Sequence, residues 1–115
     1  MIITQFRSAI KPFSETKLMN FNDSSLCDDL SQALRDGAQL IDVRSPAECA
    51  LGMLPEAVNV PLNELADAQK TLRFDKPILF YCRSGHRSEM ARRYFTELGH
   101  TDCWNIGAYE SLRRC

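Results

Sequence analysis

The chain has 115 residues, 44% hydrophobic and 25% charged, which suits one core-bearing domain that needs neither metal nor disulfide support. Its formal net charge of -1 excludes a molecule-wide attraction for nucleic acid. No stretch has the length of a membrane span, and Met1 to Arg7 lack the basic start and sustained apolar run of a secretory signal.

Residues 1–16 show no clear period and contain Lys11-Pro12, so they read as an N-terminal extension of a domain over 17–115. Lys17 to Phe21 alternates as a short edge strand would. Ser25 followed by Asp28 resembles a capping box with Asp in place of Glu or Gln, and Leu26, Leu30, Ala33 and Leu34 then share a helical face up to Gly37. Ala38 to Val43 reads as a buried strand. A short helix follows, with Ser45 as its cap and Pro46 at its first position. Val58-Asn59-Val60 is a brief strand, and Leu62, Leu65, Ala66 and Leu72 predict another helix. Ile78 to Tyr81 is an apolar strand. The spacing then predicts a helix from Ser88 to Leu98 with Ala91, Tyr94, Phe95 and Leu98 inward, stopped by Gly99. Thr101 to Asn105 is a last strand, and Gly107 turns the chain into a short terminal helix. Strands alternating with helices imply an α/β domain with a mainly parallel sheet, whose ligands bind beyond the carboxyl ends of strands. Arg44 and Cys82 lie at two such ends.

The five cysteines, Cys27, Cys49, Cys82, Cys103 and Cys115, are odd in number and widely spaced. No C-x-x-C occurs, and His86 and His100 complete no zinc spacing, so no metal site is expected. A disulfide scaffold is not expected either; a reducing compartment, the cytoplasm, fits the pattern. Cys115, near a free end, is read as an exposed terminal thiol. Taken singly, each cysteine reads as a small buried hydrophobe.

Cys82 differs because of what surrounds it. A strand ends at this thiol, and Arg83, Ser84, Gly85, His86, Arg87 and Ser88 lead into a helix. A thiolate, the nucleophilic form, is favoured by nearby cations, by the positive end of a helix dipole and by a nest of backbone N–H groups. Gly85 lets the backbone curl inward, and Ser84 and Ser88 can add hydroxyl donors. Arg83, Arg87, Arg92 and Arg93 stand against Glu89 alone over 82–93, a local positive field suited to an anionic substrate. Protein tyrosine phosphatases place arginine after five intervening residues. Here Arg87 follows four, a cradle one residue short for phosphate that suits a sulfur carried on the thiolate.

With that loop, the chain over residues 17–115 resembles the rhodanese family of sulfurtransferases, the single-domain thiosulfate sulfurtransferases similar to phage shock protein E in particular. Cys82 to Arg87 resembles the family's six-residue active-site loop. Asp42-Val43-Arg44-Ser45-Pro46-Ala47-Glu48 matches its D-x-R-x-x-x-E signature. Gly52 to Pro61 matches the segment G-H-I-P-G-A-x-N-x-P, with Met53 for the histidine and Glu56 for the glycine. Asn105-Ile106-Gly107 matches an Asn-x-Gly-Gly region, with Ile106 where a first glycine is common.

The resemblance implies a rhodanese-like α/β fold: a central, mainly parallel five-stranded sheet flanked by helices on both faces. It implies that the Cys82 thiolate takes the sulfane sulfur of a small anionic donor such as thiosulfate, forms a persulfide, and passes sulfur to cyanide, a thiol or a protein acceptor. Arg83, Ser84, Gly85, His86 and Arg87 would bind substrate, and Asp42 and Arg44 would organise the site or form a structural ion pair. No cofactor, nucleic-acid partner or membrane is implied. Two rival readings stand beside this one: a non-catalytic rhodanese-like binding or sulfide-sensing module, and a cysteine-loop phosphatase or arsenate reductase.

Overall fold

The structure, a computed structural model, describes residues 25–115. The expected extension over 1–16 and edge strand over 17–21 lie outside the described residues.

Helix α1 spans Leu26–Arg35, with Asp28 and Asp29 in its first turn and Arg35 in its last, charges that complement the helix dipole. Leu30 and Ala33 are buried. The expected reciprocal box between Ser25 and Asp28 is not formed. Ser25 adopts near-helical dihedrals (φ -93°, ψ 0°) rather than the extended ones of a capping residue, and its hydroxyl donates to the Asp29 carboxylate at 3.2 Å. Gly37, at φ 99°, turns the chain into strand β1, Gln39–Asp42.

Helix α2, Pro46–Ala50, starts as its sequence predicts. Ser45 caps it in a complete capping box with Glu48, and Pro46 occupies the first turn. Strand β2 is Val58–Asn59. The long helix expected from Leu62 to Leu72 is instead a 3-10 turn, Leu62–Glu64, and a four-residue helix α3, Leu65–Ala68. Of the four apolar markers only Leu65 is fully buried, and Ala66 faces solvent, so too little apolar surface anchors a longer helix. Strand β3 is Ile78–Cys82, and helix α4 runs His86–Glu97. Ala91 and Phe95 are buried on α4 and Tyr94 packs against the core, but Leu98 sits at the helix end and is 38% exposed. Strand β4, Cys103–Ala108, leads into helix α5, Tyr109–Leu112.

The four described strands form one sheet in the order β2-β1-β3-β4, with every pairing parallel. Strand β3 is buried along its whole length because both faces are covered. Ile78, Phe80 and Cys82 pack with Leu65, Ala91 and Phe95 on one side. Leu79 and Tyr81 pack with Leu30, Ala33, Ile106 and Leu112 on the other. The period of two along the strand thus separates an α3–α4 layer from an α1–α5 layer. No helix among the described residues is long and apolar enough to cross a membrane.

The chain crosses from β1 outward to β2 and from β3 outward to β4. Between the carboxyl ends of β1 and β3 lies the switch point where open α/β sheets form their crevice. Asp42 ends β1 there and Cys82 ends β3.

The cysteine expectation needs one correction. Cys27 on α1 and Cys115 after α5 are joined by a disulfide, with Cα atoms 5.2 Å apart across a separation of 88 residues. Wide spacing in sequence is no obstacle when the fold brings both ends of the domain to one place. Cys115 is therefore not a free terminal thiol, and the argument for a reducing compartment from unpaired cysteines falls. Cys49, Cys82 and Cys103 remain free.

Candidate active site

The backbone around Cys82 is set by three consecutive events: a buried strand ends, Gly85 adopts φ 97°, and α4 begins at His86. A Cβ at Gly85 would meet only ordinary contacts with Gly107, so it is the left-handed dihedral that calls for glycine here. The helix starts two residues before the predicted Ser88. Ser88 therefore lies in the first turn, where backbone N–H groups have no intrahelical acceptor.

Those N–H groups find the sulfur. Gly85 N–H donates to Cys82 Sγ at 3.0 Å, and Ser88 N–H points at it from 3.4 Å. The Ser88 hydroxyl oxygen is also 3.4 Å away. Cys82 is 1% exposed and Ser88 is fully buried. Burial pushes the Cys82 thiol up, but hydrogen bonds from Ser88, Ser84 and Gly85 outweigh it and hold the thiol below its ordinary value. The other free thiols go the opposite way. Burial pushes Cys49 up to about 11 and raises Cys103, whose Sγ donates to the Arg92 and His100 carbonyls. Cys82 alone among the three is shifted toward the thiolate, and the cause is hydrogen bonding rather than the expected arginine charges.

Arg87 does not stand free over the loop. Its guanidinium forms two parallel hydrogen bonds to Glu48, at 2.8 and 2.9 Å. Arg92 and Arg93 both pair with Glu89. Glu48 thus trims the expected positive excess, while Arg92 and Arg93 share a single carboxylate and Arg83 is the loop arginine with no ion pair among the described residues. Arg83, Ser84 and His86 are exposed at the rim. Glu48 lines one cleft and Arg87 another. One, of about 500 Å³, is lined by Glu48, Arg83, Arg44, Leu51 and Tyr109. The other, of about 530 Å³, is lined by Arg87, Ser45, Val43, Pro61 and Leu62.

Asp42 and Arg44 form a buried ion pair with contacts of 2.6 to 3.0 Å. Arg44 also donates to the Gly52 carbonyl at 2.7 Å, and its guanidinium carbon lies 4.2 Å from the centre of the Tyr109 ring. Burial opposes the Asp42 charge, but the hydrogen bonds from Arg44 outweigh it and lower the carboxyl's pKa. Asn59 donates to the Asp42 and Arg44 carbonyls, both at 2.9 Å, and ties β2 to this turn. The pair braces the β1 turn that carries Ser45 and Glu48, and through Glu48 it reaches Arg87.

Two residues join the site that the sequence motifs did not single out as functional. Glu48 was visible as the end of the D-x-R-x-x-x-E signature; only the fold shows it gripping Arg87. Asn105 was visible in the Asn-x-Gly region. Its carboxamide nitrogen donates to the Gly85 carbonyl at 3.0 Å, while its oxygen accepts the Ser88 hydroxyl at 2.7 Å and the Gly107 N–H at 3.0 Å. A register shift puts it there: Phe80 pairs with Asn105, but Tyr81 pairs with Gly107. The extra residue, Ile106, is buried in the core where a first glycine had been expected.

The chain is similar to known proteins in both sequence and fold. The family model described as Rhodanese-like domain matches residues 26–114. A sulfurtransferase of Allochromatium vinosum is 36% identical over 81 residues, 69% of this chain and 76% of that protein. A thiosulfate sulfurtransferase, GlpE, of Pseudomonas syringae pv. syringae is 33% identical over 85 residues, 72% of this chain and 80% of its own. The solved structure of the human single-domain sulfurtransferase TSTD1 superposes with a TM-score of 0.63 at 31% identity, covering 76% of this chain and 91% of that one.

Proposed function

The chain belongs to the Rhodanese-like domain family, and from that membership we propose that it is a sulfurtransferase working through a persulfide on Cys82, with thiosulfate or a related thiosulfonate as donor. The observation that carries the reading is the convergence of the Gly85 and Ser88 N–H groups on a buried sulfur at the start of α4. Donors fixed by the backbone stabilise an anion without reorganising when it forms.

In the first half-reaction the Cys82 thiolate attacks the outer, sulfane sulfur of the donor. A sulfur–sulfur bond forms at Cys82, the donor's sulfur–sulfur bond breaks, and sulfite leaves with that bond's electron pair. In the second, a thiophilic acceptor attacks the outer sulfur of the persulfide. Cyanide leaves as thiocyanate, a thiol leaves as its own persulfide, and Cys82 returns to thiolate. Arg83, at the rim and without an ion pair among the described residues, offers a planar donor to the sulfonate oxygens. Arg87 can do so only by sharing or leaving Glu48.

Incubation with thiosulfate followed by intact-mass measurement tests this. The wild-type protein gains the mass of one sulfur atom, and Cys82→Ser gains none. A folded wild-type protein without the adduct overturns the reading and leaves a non-catalytic module.

A further inference from the structure

The Ser88 hydroxyl has one proton and two neighbours that can take it. Asn105 Oδ1 lies 2.7 Å away and Cys82 Sγ 3.4 Å away, and the Ser88–sulfur contact can run in either direction. The orientation of the Asn105 carboxamide is fixed, because its nitrogen donates to the Gly85 carbonyl at 3.0 Å and reaches Glu89 at 3.4 Å. Its oxygen must therefore face Ser88. That oxygen has a second donor, Gly107 N–H at 3.0 Å, so it stays satisfied if Ser88 turns away.

We infer that Asn105 is a positioning residue for Cys82 and that Ser88 and Asn105 together form a two-position proton holder. While sulfur is a thiol, S–H donates to Ser88 Oγ, and Ser88 O–H donates to Asn105. When the thiol loses its proton to solvent base, Ser88 O–H rotates from Asn105 to the sulfur anion, and Gly107 N–H alone holds the Asn105 oxygen. No covalent bond at Ser88 or Asn105 breaks, and no buried polar group is left without a partner in either state. The same rotation serves the persulfide cycle, in which the inner sulfur of Cys82 alternates between thiolate and covalently loaded forms.

Four charged or titratable groups of the described residues flank this trio. Arg87 acts on Cys82 while paired with Glu48, and Glu89, which pairs with Arg92 and Arg93, touches the Asn105 nitrogen. Arg83 and His86 are exposed at the loop rim.

The inference rests on Cys82 being the reacting thiol, so its test reads protonation rather than sulfur transfer. Alkylation of Cys82 by iodoacetamide is followed across pH, with peptide mapping to separate Cys49 and Cys103. Ser88→Ala moves the profile midpoint up by about one pH unit, a roughly tenfold slower reaction on the acid side. Asn105→Asp, whose carboxylate keeps the Ser88 proton, moves it up comparably, and adding Ser88→Ala to Asn105→Asp moves it no further. Shifts that simply add overturn the inference. A second measurement needs no change at Asn105. In a 1H–15N NMR titration of the wild-type protein the Gly107 amide moves with the Cys82 midpoint, and in Ser88→Ala it does not. A Gly107 signal that is flat in wild type, or that still titrates in Ser88→Ala, overturns it. Failure of the thiosulfate mass test with these results intact would remove the sulfurtransferase reading and leave this one standing.

Discussion

Glu48 holds Arg87 with both carboxylate oxygens while the same Oε1 accepts the Ser45 N–H at 2.9 Å. One side chain thus caps α2 and restrains the arginine of the sulfur loop. Glu48→Gln keeps a capping side chain but removes the charge. Freed from its partner, Arg87 becomes available to the donor anion, so the thiosulfate concentration for half-maximal rate falls. Arg87→Ala should raise that concentration several-fold, and Arg83→Ala likewise. Steady-state kinetics on the three variants check this; unchanged concentration dependence in both arginine variants removes them from donor binding.

Acid should destabilise the domain through the same carboxylate. Hydrogen bonding by Arg87 lowers the Glu48 pKa from 4.5 to about 2. A group depressed in the folded state contributes stability that is fully present above its unfolded value and is lost as pH falls through the folded one. The window therefore lies between pH 4.5 and about 2. Arg92 lowers Glu89 from the same 4.5 to about 2, so both act together. Each side chain is about a third exposed, and after solvent screening each contributes on the order of 1 kcal/mol. Urea midpoints measured across this window should fall for wild type and fall less in Glu48→Gln, where Glu89 still titrates and stability at neutral pH is already lower by Glu48's share.

Reduction of Cys27–Cys115 should cost far more. A cross-link closing a loop of this length stabilises by up to about 4–5 kcal/mol in the chain-entropy picture. A dithiol reductant, or Cys27→Ser, should lower the melting temperature strongly, and the two treatments should not add. Both half-cystines are exposed, so the bond is open to reductant in the native state. Equal melting curves with and without reductant would show that the bridge constrains nothing.

Glu56 sits at φ 71°, the one non-glycine residue with positive φ among the described residues. A left-handed dihedral costs a side-chain-bearing residue roughly 1–2 kcal/mol, and glycine returns part of that gain as unfolded-state entropy. Glu56→Gly should stabilise the domain by about 0.5–1 kcal/mol, measured as a higher urea midpoint at unchanged slope. A lower midpoint would mean that the Glu56 side chain makes contacts worth more than its strain.

The junction of a buried strand, Cys82, Gly85 and α4 was legible because each step leaves a local mark: an apolar run, a glycine, a polar first turn. The Ser45 cap was legible for the same reason, since it stands directly before Pro46 at the helix start. What bridges distant segments left no such mark. Glu48 meets Arg87 from 39 residues away, and Asn105 reaches Gly85 from 20. The charge count over 82–93 overstated the positive excess because it omitted Glu48, which enters from another element. Leu62 to Leu72 misled because apolar spacing alone does not say whether a partner surface exists to hold a long helix. The bulge at Ile106 was invisible for a further reason: a glycine-like position in a motif became a core position once the register shifted.

The disulfide also has a geometric consequence. It places the two ends of the described domain side by side, with Cα atoms 5.2 Å apart. That is close to the distance between neighbouring residues along a chain, 3.8 Å across a trans peptide. The domain is therefore a covalently closed ring in all but its backbone. Such a unit can be re-opened at an exposed loop and rejoined at its old ends, or set whole into a surface turn of another protein, with little spreading of the host chain.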